Sequence, residues 1–307
     1  MTYLVRTNQL TKLFQGKEVI SNMNMNVPKG KIYGFLGPNG AGKTTVMKML
    51  TNLVKPSAGE IEILGQKLTH SSYDILGRIG SMIEYPIFYE KMTAWENLEL
   101  HCEYMGYYNR EAISEALAMV NLKNIDHKPV KNFSLGMKQR LGIARAIMTK
   151  PELLILDEPI NGLDPVGVKE IRDVFHTLNK EYGTTLLISS HILAEIEQLA
   201  DVIGVIRDGR LITEIPMDSI RGQTTQYIEI TTTNQRKACF VIVDKLHISN
   251  FKVIDEKTIR IYESKISQEV ISKTLILHDV GIESMNRKAM SLEEYFLGLI
   301  HDDKIHS

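Results

Sequence analysis

The 307-residue chain is too long for one typical domain and suits one large domain plus a small one. A hydrophobic fraction of 43% and a charged fraction of 24% are ordinary for a soluble globular protein with a sizeable core. The formal net charge of -1 provides no global basic field, which argues against nucleic acid or an acidic membrane surface as bulk partners.

Cys102 and Cys239 lie far apart with no CxxC partner, so neither a disulfide framework nor a zinc site is suggested, and a reducing cytosol fits. Residues 1–6 lack the basic-then-apolar pattern of a signal peptide. No apolar run reaches the roughly 18 residues needed to span a bilayer. The richest stretch, residues 186–206, is broken by His191, Glu195, Glu197 and Asp201. A membrane role is therefore expected to come through a partner.

Ile32–Leu36 reads as a buried strand, residues 37–42 as a Gly-rich turn and residues 43–53 as a helix. Residues 55–59 are turn chemistry, and residues 79–83 form a short strand candidate. Residues 93–128 are predicted helical and amphipathic, with Leu98, Ala112, Ile113, Ala116, Leu117 and Val120 at helix-like spacings. Ser134 precedes a helical pattern in which Met137, Leu141, Ala144 and Met148 share a face. The apolar runs 153–156 and 185–188 suit strands covered on both faces, as in a mostly parallel α/β sheet. Residues 202–211 read as a hairpin turning at Asp208-Gly209.

After about residue 222 the texture changes. Residues 227–231 alternate, 236–246 read as a helix, 251–262 as a hairpin over Asp255-Glu256-Lys257, and 267–277 as another helix. Ser291 and Glu294 form a capping box for a last helix. The order β-α-β-β-α predicts a small α+β appendage of ferredoxin-like arrangement.

The stretch Gly37-Pro38-Asn39-Gly40-Ala41-Gly42-Lys43-Thr44 fits G-x-x-x-x-G-K-[ST]. Glycines let backbone N–H groups close around phosphate oxygens, and the following helix points its positive end at the same phosphates. Gly37, Asn39, Gly40, Ala41, Gly42, Lys43, Thr44 and Thr45 are therefore the candidate ATP-binding residues. Lys43 is expected to reach the β- and γ-phosphates and Thr44 to ligate Mg2+.

The strand 153–156 ends in Asp157-Glu158. Asp157 suits a Mg2+ carboxylate, direct or through water, and Glu158 the base that polarises the attacking water. Two acids can also merely cap a buried strand. Beside a phosphate loop the catalytic reading gains, because ligands of open α/β sheets bind at the C-terminal strand ends. His191 closes another apolar strand at that edge, where it either contacts the γ-phosphate or is structural.

At this point residues 3–220 resemble the nucleotide-binding domain of ABC transporters. The phosphate loop is family-like in full. Residues 133–140 (Phe133-Ser134-Leu135-Gly136-Met137-Lys138-Gln139-Arg140) resemble the signature motif. Residues 158–165 resemble the D-loop region, and Ser190-His191 the H-loop. The resemblance implies an α/β P-loop NTPase fold at 1–222, with a mixed sheet core, an antiparallel β subdomain and a helical subdomain. Residues 223–307 would be the α+β appendage. It implies a head-to-tail homodimer in which each ATP sits on one copy's phosphate loop and meets Ser134 and the Gly136 N–H of the other. A helix N-terminus at Ser134 supplies free N–H groups and a positive dipole end for this. Phe14 stands where the family stacks an aromatic ring on adenine; its alternative is a core phenylalanine.

Two departures matter. Leu135 and Met137 replace a glycine and a glutamine of the usual signature, while Ser134 and Gly136 are kept. Glu84 replaces the usual glutamine of the loop that senses Mg2+ and couples to the membrane subunit, and a carboxylate can still ligate Mg2+ or a water. The Glu84 variant, Phe88-Tyr89, the 134–137 spelling and residues 291–296 are similar to the ATPases of bacterial exporters protecting against bacitracin and lantibiotic peptides. The expectation is an ATPase subunit, cytoplasmic and peripheral at the inner face of the cell membrane, energising export through a separate permease. The rival is a soluble ABC ATPase acting on ribosomes or DNA. The translation type commonly has two cassettes in one chain. The repair type carries a coiled coil, and residues 45–133 hold no sustained heptads. A small-molecule kinase would leave residues 134–140 unexplained.

Overall fold

The computed structural model describes residues 2–107, 109–122, 125, 127–221, 226–263 and 266–289. The chain divides into two compact units, Met1–Met217 and Asp218–Ser307.

The first unit opens with β1 (Tyr3–Phe14), β2 (Lys17–Met23), β3 (Asn26–Pro28) and β4 (Ile32–Leu36), followed by α1 (Lys43–Leu50). Next come β5 (Ala58–Ile63), β6 (Gln66–Lys67), α2 (Tyr73–Leu76) and β7 (Ile79–Met82). Helices α3 (Ala94–Met105), α4 (Arg110–Met119) and α5 (Leu135–Ile147) precede β8 (Leu153–Leu156), α6 (Pro165–Lys180) and β9 (Thr185–Ser190). The unit ends with α7 (Leu193–Glu197), β10 (Val202–Arg207) and β11 (Arg210–Pro216), and α8 (Met217–Arg221) begins at its last residue.

A mixed sheet runs in the order β11-β10-β4-β9-β8-β7, parallel except for the β10–β11 hairpin. Every residue of β4, β8 and β9 is buried, which is why these strands read as unbroken apolar runs. An antiparallel sheet, β2-β1-β5-β6 with β3 also on β1, covers one side. Leu10, Ile20 and Ile63 from it pack with Phe35, Val46, Met47 and Leu50 in one core cluster. Each such fully buried side chain contributes about 1.5–3 kcal/mol. The shared core fixes β4 and α1 on either side of the loop that joins them.

The helical stretch expected over 93–128 holds two helices, α3 and α4. Gly106 ends α3 in the left-handed conformation, φ 62°, and Asn109 starts α4 by accepting the N–H groups of Glu111 and Ala112. These caps override an apolar periodicity that carries on through the break. The helix expected over 43–53 ends at Leu50, since Asn52 takes a left-handed φ of 60° and turns the chain.

The second unit contains β12 (Gln226–Thr232), α9 (Gln235–Asp244), β13 (Phe251–Val253), β14 (Thr258–Ile261), α10 (Gln268–Leu277) and β15 (Ile282–Ala289). Its sheet runs β13-β14-β12-β15 with all neighbours antiparallel, the ferredoxin-like arrangement. Ile228, Ile230, Ile259 and Ile261 form its core with Val241, Ile242, Ile271 and Leu275 of the two helices. Strand β15 is an addition to the expected order. The capping box at Ser291 and Glu294, and residues 291–296, lie outside the described residues.

Candidate functional site

The loop between β4 and α1 is shaped by its glycines. Gly40 and Gly42 take φ of 80° and 106°. A Cβ on Gly37 would stand 2.4 Å from the Ile206 carbonyl oxygen. No side chain caps the start of α1, so its first N–H groups remain free to meet an anion. Ala41 is buried, Asn39 and Gly40 face solvent, and Thr45 is half-buried within α1.

Lys43 is 5% exposed and folds back over the loop. Its Nζ donates to the Gly37 carbonyl at 2.6 Å and the Pro38 carbonyl at 3.3 Å, and lies 3.2 Å from Glu158 Oε1. Thr44 Oγ1 donates to Asp157 Oδ2 at 2.6 Å. Asp157 is itself 5% exposed, and its Oδ1 accepts from Ser189 Oγ at 2.6 Å. The same hydroxyl oxygen accepts the Glu158 N–H at 2.9 Å. Glu158 has a left-handed φ of 48° and presents Oε2 to His191 Nδ1 at 2.9 Å and to Asn161 Nδ2 at 3.1 Å. The phosphate loop, Lys43, Thr44, Asp157, Glu158 and His191 thus converge at the C-terminal ends of β4, β8 and β9. Nearby, burial pushes the Glu195 carboxyl up even though Ser190 Oγ donates to it at 2.8 Å.

Ser134 caps α5, its Oγ accepting the Met137 N–H at 3.2 Å. Gly136 lies beside Leu163, where a Cβ would stand 3.3 Å from Leu163 Cδ2. Gln139 Nε2 ties α5 to the loop after β8 through the Glu158 and Pro159 carbonyls at 3.3 and 2.9 Å. Among the described residues no hydrogen bond joins Ser134 or Gly136 to the phosphate loop.

Glu84 follows β7 with φ 59°, and its carboxylate meets Lys48 Nζ of α1 at 2.5 Å rather than Thr44 or Asp157. Phe14 ends β1 as a residue 44% exposed, with Lys12 Nζ 4.8 Å from the ring centroid, so it is not a core phenylalanine. Sequence reasoning missed Ser189, Asn161 and Lys48. Only the position of Ser189-Ser190 just before His191 could have pointed to the first of these.

The profile of the ABC transporter family matches residues 20–161. An uncharacterised ABC transporter ATP-binding protein of Bacillus subtilis (strain 168) is 69% identical over 305 residues, spanning 99% of each chain. The bacitracin transport ATP-binding protein of Bacillus licheniformis is 44% identical over 300 residues, 98% of each. A lantibiotic transport ATP-binding protein of Streptococcus pyogenes is 46% identical over 215 residues, 70% of this chain and 92% of that one. The dimeric, post-hydrolysis structure of an ATP-binding cassette with ADP and Pi aligns with TM-score 0.65 and 26% identity, over 69% of this chain and 98% of that one.

A phosphate loop facing paired acids at the ends of parallel strands defines a P-loop ATPase. The chain belongs to the ABC transporter family, as its ATP-binding, ATP-hydrolysing subunit. No described helix is long and apolar enough to cross a membrane.

Proposed function

We propose that this ATPase energises export of a peptide antibiotic of the bacitracin or lantibiotic type through a separate membrane permease. The observation that carries the hydrolytic part is the position of the Glu158 carboxylate, held by Lys43 on one oxygen and by His191 and Asn161 on the other. The export part is supported by the bacitracin transport relative, whose similarity runs through both units. The working modules are a cassette at 1–222 and an appendage at 223–307. The alternative of a soluble ATPase acting on ribosomes or DNA is not favoured, since the relatives with a stated role act in transport.

ATP sits with its phosphates on loop 37–42 and the start of α1, with Asn39, Thr44 and Thr45 at its edge and Phe14 towards adenine. When ATP enters, Lys43 exchanges its carbonyl contacts and its ion pair with Glu158 for phosphate oxygens. This releases Glu158, which accepts a proton from the attacking water while His191 steadies its carboxylate. Two copies pair head to tail, and Ser134 and the Gly136 N–H of one close over the γ-phosphate held by the other. The free N–H groups of α5 beyond its Ser134 cap support that reading.

Thr44 and Asp157 fit Mg2+, since a hydroxyl and a carboxylate oxygen already face each other there and Mg2+ asks for few protein ligands beside phosphates. Glu84 would complete that set once freed from Lys48. Bound Mg2+ would neutralise charge building on the phosphates.

The permease grips the surface formed by the exposed Tyr85, Ile87, Tyr89 and Tyr104. The protein is then cytoplasmic and peripheral at the inner face of the cell membrane, with no nucleic acid partner. The test is to tag the chain, solubilise native membranes in mild detergent and identify what co-purifies. A polytopic membrane protein is expected. Recovery only with ribosomes or DNA proteins would overturn the transporter reading and leave the ATPase intact.

A further inference from the structure

We propose that Ser189 is a positioning residue for hydrolysis, its hydroxyl holding the Glu158 backbone and the Asp157 carboxylate in one fixed arrangement. This rests on the reading of Glu158 as the base. Ser189 is completely buried, in a strand that is apolar through Leu186, Leu187 and Ile188. A side chain needed only to fill that space would not be a hydroxyl, because burying one without partners is unfavourable.

Both capacities of the hydroxyl are used, and in a defined sense. Its proton goes to Asp157 Oδ1 at 2.6 Å, so its oxygen is left to accept the Glu158 N–H at 2.9 Å. The regular pairing of β8 with β9 ends at Leu156 opposite Ile188. One residue further on, the Ser189 side chain takes the Glu158 amide instead of a strand carbonyl. Glu158 can then leave extended geometry and adopt its φ of 48°. A glutamate stays in that sparsely populated region only where its surroundings over-determine it. The second Asp157 oxygen is taken by Thr44 at the start of α1. One hydroxyl on β9 therefore couples the direction in which the base points to the carboxylate that meets the phosphate-loop helix. The hydroxyl of Ser189 bonds to Glu158 and Asp157 rather than to Lys43 or loop 37–42, so its loss should leave the grip on phosphate largely intact.

The test uses the full chain with Ser189→Ala, Ser189→Cys and Glu158→Gln. It reads steady-state ATPase rates, binding of a fluorescent ATP analogue in EDTA, and thermal melting. Cysteine, slightly larger, keeps the site filled and weakens both hydrogen bonds. Both Ser189 variants should lose kcat, Ser189→Ala by about 10–100-fold, the range of a small misplacement of a reacting group. KM and analogue affinity should stay within about threefold, since positioning rather than phosphate binding is lost. Ser189→Cys at the wild-type rate would make the site a packing position, and parallel loss of kcat and nucleotide affinity would mean general damage; either overturns the proposal. Should Ser189→Ala fail to fold, Ser189→Cys decides alone. Glu158→Gln separates the two readings. If it hydrolyses normally, the base assignment fails; if it is inactive while Ser189→Ala is normal, only the Ser189 inference fails.

Discussion

At the nucleotide end of the first unit, charged groups are buried against one another: Lys43 and Asp157 are each 5% exposed, and Glu158 lies between Lys43 and His191. In the second unit the charges sit elsewhere. Ile228 and Ile230 of β12 enter the core, while Glu229 between them meets Arg260 at 2.9 Å and Lys288 at 2.6 Å. The first arrangement is held by polar partners, the second by apolar area with charges at its margin. Removing one partner in the cleft strands another charge in a dry place, whereas removing a methylene from the second unit leaves a cavity. One kind of damage should appear in binding and turnover, the other in stability.

The largest effect expected is that of Lys43→Ala. It removes the side chain that, among the described residues, contacts both the loop carbonyls and Glu158, and ATP affinity should fall by about 100-fold or more. Unchanged affinity in an equilibrium titration would end the phosphate-loop assignment. Glu158→Gln comes next. It keeps the side chain's shape and its neighbours but cannot take a proton. Turnover should drop by about 100–10,000-fold with ATP still bound. In size-exclusion chromatography with ATP, the dimer should accumulate. Turnover near the wild-type rate would remove Glu158 from the role of base.

The contrast also governs what could be read from sequence. Phosphate chemistry demands particular residues at particular spacings, so the loop at 37–44, the acids ending β8 and His191 ending β9 were visible without a structure. Ser189 was not, because a serine at a strand end follows no pattern until the register of β8 against β9 sets it beside Glu158. Lys48 opposite Glu84 likewise depends on the approach of α1 to the segment after β7. Strand β1 escaped the chain reading because its register shifts against β2 and β5 break the in-out alternation. In the second unit the alternation of 227–231 made β12 plain, but β15 pairs with it along residues such as Ser284, Asn286 and Lys288 that signal no strand.

Ile230→Ala tests the other half of the comparison. Ile230 is fully buried in the core of the second unit. Deleting its outer carbons should cost about 2–5 kcal/mol in urea unfolding followed by a probe in that unit. The ATPase rate at 25 °C, well below any unfolding, should stay within about twofold, since Ile230 belongs to the core of the second unit and the reacting groups to the first. A matching collapse of turnover would show that the two units do not divide binding from stability in this way.

The smallest effect belongs to Glu229, and pH gives it a direction. The hydrogen bond from Lys288 is the largest influence and holds its carboxyl below the ordinary glutamate range; burial pushes the other way, and a smaller contribution from the Arg260 hydrogen bond adds to the lowering. A carboxyl whose folded value is depressed binds fewer protons folded than unfolded, so the stability it adds is complete above its unfolded value of about 4.3. That stability disappears as pH falls through the lower folded value. Because the cluster is partly solvated, Glu229→Gln should cost only about 0.5–1 kcal/mol at pH 7. The gap between wild type and variant in urea midpoint should stay constant down to about pH 5 and narrow below it, as the wild-type carboxyl takes up its proton. A gap that stayed constant through acid would mean that Glu229 acts through shape and neutral hydrogen bonds. The margin of the second unit would then be held by the same apolar fit as its core.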